Sequence, residues 1–95
     1  MDKSVGSFEW DSEKEILNVL KHGVDFATAT KVFKDPKRVI AKDERHSAGE
    51  ERLYCIGKTE GGILTVRFTY RAGKIRIIGA GYWRKGEHFF EKENR

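Results

Sequence analysis

At 95 residues the chain lies at the small end of single-domain size, so one hydrophobic core is expected and two independent cores are not. Apolar residues make up 38% and include two Trp, three Tyr and six Phe, which excludes the aromatic-poor composition of a disordered chain. Nineteen Lys and Arg against fifteen Asp and Glu leave a net charge of +4, a balance that suits a polyanionic partner or a solvated basic face.

Residues 1–6 carry no structural signal and are expected to be disordered, leaving 7–95 as one domain. SFEW at 7–10 alternates polar and apolar as a short strand does. Asp11 is a good N-cap, Glu13 and Glu15 sit in the first turn, and Gly23 follows Lys21-His22 as a stop, which together predict a helix over about 12–22. Ile16, Leu17, Val19 and Leu20 give it an apolar stripe. Asp25 caps a second helix carrying Phe26, Ala29, Val32 and Phe33, which Asp35-Pro36 ends. From Lys37 the period changes. RVIA, ERLYCIGK, ILTVRFTY and KIRIIGAGY are rich in β-branched and aromatic residues, with Gly61-Gly62 and Ala72-Gly73 as turn signals between the last three. The stretch from Trp83 to Asn94 fits a terminal helix. The expected architecture is α+β in two layers, a short N-terminal strand and two helices packed on one face of a mostly antiparallel sheet whose other face is open.

The lone Cys55 lies within a strand and has no cysteine to pair with, which predicts a buried thiol in a reducing compartment. No stretch has the length of a membrane span and the N-terminus lacks the apolar run of a secretory signal, so a cytoplasmic location is expected.

Gly79-x-Gly81 and Gly81-x₄-Gly86 have glycine spacings of phosphate-binding loops, but Glu87 and His88 stand where such a loop needs Lys and Ser or Thr. His22, His46 and His88 show no metal-ligand spacing, and neither Ser7 nor Ser47 sits in a nucleophile motif, so no metal, cofactor or serine hydrolase is expected. What remains is the distribution of charge. Strand alternation sets Arg52, Tyr54 and Ile56 opposite Leu53 and Cys55, sets Arg67 opposite Val66 and Phe68, and sets Arg76 opposite Ile75 and Ile77. Arg52, Arg67 and Arg76, joined by Arg84 and Lys85, can therefore meet on the open face, with Tyr54, Tyr82 and Trp83 available for stacking. Such a surface suits single-stranded RNA. The bland alternative is that these arginines are solvated or paired with acids such as Glu50 and Glu51. His22 likewise suits either a helix C-terminus or proton transfer.

FEWD at 8–11, KHGVDF at 21–26, VFKDP at 32–36, HSAGEERLYCIG at 46–57 and IRII at 75–78 resemble, in this order, the BrnT toxins of bacterial type II toxin–antitoxin systems. The resemblance spans Phe8 to Ile78. It implies a RelE-like fold and a ribonuclease that arrests growth. It also implies neutralisation by a BrnA-like ribbon-helix-helix antitoxin, in a heterotetramer that reaches operator DNA only through the antitoxin. Arg52 matches the arginine of the family's EER motif and is thereby expected at the scissile phosphate, supported by Arg76 and by Arg84 or Lys85, with Glu51 or His22 transferring protons. Arg67, Tyr54, Tyr82 and Trp83 are expected to bind RNA. One departure stands out: many members read IISAR where this chain has Ile77-Ile78-Gly79-Ala80-Gly81, with glycines in place of a serine and an arginine. A non-catalytic module that binds antitoxin or nucleic acid is the competing expectation. An autonomous DNA-binding repressor fits less well, because the tandem helices have little basic character.

Overall fold

The computed structural model describes residues 2–95, the side chain of His46 excepted. In chain order the elements are β1 (Asp2–Val5), β2 (Phe8–Asp11), α1 (Ser12–His22), α2 (Phe26–Thr30), a 3-10 turn (Lys31–Lys34), β3 (Val39–Lys42), a second 3-10 turn (Glu44–His46), β4 (Leu53–Thr59), β5 (Gly62–Arg71), β6 (Lys74–Gly81) and α3 (Arg84–Glu93). The strands form one sheet in the order β1-β2-β6-β5-β4-β3. Every pairing is antiparallel except that of β2 with β6. The fold is α+β, with the expected C-terminal helix.

Local chemistry sets the helix ends. The Asp11 carboxylate accepts from the Glu13 backbone N–H at 2.8 Å, and Gly23, at φ 69°, closes α1 where a side chain would be strained. Asp25 accepts from the Thr28 N–H at 2.7 Å to start α2. Asp35 ends this layer and ties it to the sheet, its carboxylate accepting from the backbone N–H groups of Lys37 and Lys58.

The core lies between α2 and one sheet face. Trp10, Phe26, Val32, Cys55, Leu64, Val66, Phe68 and Ile77 are buried there, and Phe33 meets Phe8 and Phe68 edge-on. Strand alternation predicts this face correctly up to Ile77. Beyond it the register slips: Phe68 opposes Ile77 while Arg67 opposes Gly79, so Ile78 is an extra residue and Ala80 turns toward the core.

Three features differ from expectation. Asp2–Val5 form β1, paired with β2 across a turn at Gly6, although residues 1–6 are expected to be disordered. All four residues are exposed, so β1 has no apolar face for the sequence to display. The stripe on α1 is also uncovered: Ile16, Leu17, Val19 and Leu20 are 59%, 55%, 43% and 77% exposed. The buried residue of that helix is Asn18. Its amide donates to the carbonyls of Val24 and Ala80, both at 2.9 Å, and accepts from the Ala80 N–H at 3.1 Å. Because α1 follows β2 without a loop, it runs past the last β2–β6 pair, Trp10 with Ile77, and Asn18 serves Ala80 as a neighbouring strand would. Finally, α3 packs on the second sheet face, so that face is only partly open. Gly86 rests directly on Thr65, where a Cβ would overlap the Thr65 hydroxyl, and Phe90 is buried.

Candidate nucleic-acid interface

On the second face, where α1 meets β5, β6 and the start of α3, there is a cleft of about 200 Å³. Lys14, Leu17, Asn18, Lys21 and His22 line it from α1, as helical spacing of three and four residues allows. Arg67, Ile78, Gly79 and Trp83 complete it, and no carboxylate is among the lining residues. Two glycines shape it. Gly79 opposes Arg67 across the β5–β6 pair and places no side chain between that arginine and Asn18. At Gly81 a Cβ would stand only 2.8 Å from the indole nitrogen of Trp83, so the ring folds back over the bare backbone. There it meets the His22 ring edge-on at 5.2 Å.

Arg67 is the central charge. Its Nε is buried without a hydrogen-bond partner, and it forms no ion pair among the described residues. The other arginines of β5 and β6 are paired: Arg71 with Glu50 at 3.0 Å, Arg76 with Asp2 at 3.0 Å and Glu9 at 2.8 Å. A guanidinium held among lysines, with an unused donor and no counter-ion, is suited to a bound anion.

Beyond Trp83 lies a larger groove of about 780 Å³ between α3 and strands β3–β5. Ala41, Tyr54, Ile56, Thr65, Trp83 and Phe89 give it an apolar and aromatic lining; Lys42, Arg45, Lys85, His88 and Lys92 supply cations, and Asp43 and Glu44 acids. Tyr54 neighbours Arg67 directly in the β4–β5 register. Burial pushes its hydroxyl above the usual value of 10.0, and Asp43, which accepts its hydrogen bond, pushes the same way against the pull of Arg67 and Arg45.

Of the residues expected at a site, His22, Tyr54, Arg67, Trp83 and Lys85 line these two adjoining cavities. The rest lie elsewhere. Arg76 is 14% exposed and held between its two carboxylates. Arg52 lines neither cavity; its backbone carbonyl accepts from Asp43 N–H at 2.8 Å and its N–H donates to Ser47 Oγ. Glu51 lies 3.8 Å from Lys42 Nζ, an exposed pair at the groove's edge. Tyr82 bonds Thr59 at the β4–β5 turn, 2.9 Å between hydroxyls, and Arg84 is exposed at the start of α3. Lys14, Lys21, Asp43, Arg45 and His88 line the cavities without having been singled out for a site from sequence. The i, i+7 spacing of Lys14 and Lys21 on one helix face was the available signal. No described group of three His, Cys, Asp or Glu residues is placed to hold a metal ion, and no described helix is long and apolar enough to cross a membrane.

The fold and its cavities define a small α+β protein with an acid-free cationic cleft beside an aromatic groove. Residues 10–87 match the family model described as the ribonuclease toxin, BrnT, of type II toxin-antitoxin systems. The chain belongs to this family of ribonuclease toxins, and membership implies an antitoxin partner. Among curated proteins none matches the chain.

Proposed function

We propose that this protein cuts RNA in the Arg67 cleft without a metal, by attack of a ribose 2′-oxygen on the adjacent phosphorus. The bond from phosphorus to the 5′-oxygen breaks, leaving a cyclic phosphate on one product and a 5′-hydroxyl on the other. A base removes the 2′-proton and an acid protonates the departing oxygen. Arg67 stabilises the charge that builds on the phosphoryl oxygens, and Lys14 and Lys21 hold the flanking backbone. His22, at the mouth of the cleft, transfers a proton, and its edge-on contact with Trp83 orients the ring. Trp83 stacks a base between the two cavities, and the strand continues along the groove past Tyr54, Lys85 and His88. Arg52, Glu51 and Arg76 are read here as holding the fold around the site, Arg52 through its backbone bond to Asp43.

The single supporting observation is that Arg67, alone among the arginines of β5 and β6, lacks an acidic partner among the described residues. We read the partner as a BrnA-like antitoxin that inhibits the enzyme in the cytoplasm and carries the complex to operator DNA. Incubating RNA with purified protein in a chelator tests the reaction. Cleavage should fall roughly 10²- to 10³-fold in Arg67→Ala, the loss typical of one removed charge-stabilising donor. It should stay near the parent rate in Arg52→Ala. His22→Gln should slow cleavage at unchanged melting temperature; a lower Tm with unchanged cleavage would make His22 a helix cap only. Intact RNA, bound tightly by the parent protein, would replace the enzyme with a binding module.

A further inference from the structure

The exposed face of α1 has no role in the reaction above. Ile16 and Leu20 stand one turn apart and, with Val19, form an apolar patch on an 11-residue helix whose buried side chain is polar. Scattered exposed apolar residues are ordinary on a protein surface, but several large ones side by side on one helix mark a contact surface. Two observations say what covers it. Leu17 borders the patch and also lines the Arg67 cleft, so the apolar surface runs into the cationic one. On its cleft side the patch meets Lys14 and Lys21; the one exposed α1 acid beside it is Glu13, a turn before Ile16 and Leu17, while Glu15 is engaged inward, accepting from the Trp10 indole N–H and from the Phe26 N–H. A partner seated here therefore meets grease with cations on the side that faces the cleft.

We infer that this face of α1 is where the antitoxin docks, through an amphipathic helix whose apolar side covers Ile16, Val19 and Leu20. Its carboxylates reach Lys14 and Lys21, so that it lies across the mouth of the Arg67 cleft. Inhibition then follows from exclusion, since acidic side chains over the cleft take the place of RNA phosphates. The inference rests on the family's antitoxin partner for its occupant, and on the proposed cleft for its effect on activity.

The test uses the double variant Ile16→Glu, Leu20→Glu, at positions outside both cavities, and the protein encoded beside this gene as the antitoxin probe. Binding is read by calorimetry without RNA, so it stands apart from the ribonuclease proposal. Loss of two buried aliphatic contacts should weaken binding at least a hundredfold at unchanged Tm and unchanged RNA cleavage. Affinity equal to that of the parent protein would overturn the inference. So would concentration-dependent self-association of the free parent protein that the double variant abolishes, because the occupant would then be a second copy of the chain. An Ile16→Leu, Leu20→Ile control should bind as the parent does; weakened binding there would show that apolar burial is not the cause.

Discussion

The indole of Trp83 fills the space left by the absent side chain of Gly81. The resemblance to IISAR sequences puts an arginine near this point; here an aromatic ring occupies the room, and the arginine lining the cleft is Arg67 from the neighbouring strand. Gly81→Ala forces ring and Cβ apart, at a cost of about 1–3 kcal/mol for overpacking. The variant should melt lower and bind a fluorescently labelled oligoribonucleotide about tenfold more weakly, as expected when one stacking contact is disturbed. Unchanged affinity by anisotropy would remove Trp83 from the RNA path.

Arg76 should matter for stability and not for turnover. In Arg76→Met, Glu9, which is 19% exposed, loses a partner at 2.8 Å and Asp2 loses its ion pair from β1 across to β6. Losing the part-buried bond to Glu9 costs about 1–3 kcal/mol. At roughly 4–8 °C per kcal/mol for a domain of this size, a drop in Tm is easily measured by calorimetry. Cleavage below the melting range should be unaltered.

Alkaline pH should destabilise the protein through two groups with overlapping ranges. Burial pushes the Cys55 thiol up from 9.0 to about 12, against a weaker opposing pull from Arg38, and burial also raises the Tyr54 hydroxyl above 10.0. Both groups are neutral when protonated, so the folded state binds their protons more tightly than the unfolded chain does. Their contributions are complete below 9.0 and are lost as pH rises, that of Cys55 from 9.0 to about 12 and that of Tyr54 from about 10.0 upward. Denaturant midpoints at a series of pH values should show Cys55→Ala moving the onset of the loss from about 9.0 to about 10.0 and making what remains shallower. A thiol reagent at neutral pH should label Cys55 only after unfolding, since the residue is fully buried.

Acid acts on different residues. Backbone hydrogen bonds, from Thr28 to Asp25 and from Lys58 to Asp35, hold both carboxyls below the ordinary 3.8. Depressed values stabilise the fold above that pH, and the stabilisation is lost as pH falls from about 3.8 through the lower folded-state values. Asp35→Asn should flatten this acid limb, measured as denaturant midpoint against pH, while lowering stability at pH 7.

Helix ends were legible because their causes are local: Asp11 and Gly23 bracket α1, and Asp25 and Pro36 bracket the second helical segment. Burial was less so. The stripe at Ile16 and Leu20 has the periodicity of a core face, yet the direct passage from β2 into α1 turns Asn18 inward, and periodicity does not record how a helix is delivered to a sheet. At the site, alternation puts Arg67 and Arg76 on the same face and does not tell them apart. Their difference comes from neighbours. Glu9 is in register with Arg76, and Asp2 lies on a strand with no apolar pattern, whereas Arg67 has Gly79 and Tyr54 beside it. Trp83 and His22 meet across 61 residues of chain, a contact that depends on Gly81 and on where α1 ends.

Asn18 has a consequence for the molecule in crowded solution. Where β6 outruns its short neighbour, an open backbone would invite pairing with the rim of another molecule, the usual beginning of ordered aggregates. By closing that gap with one side-chain amide, the protein keeps a long sheet from growing on this side while leaving the adjacent helix free to be grasped.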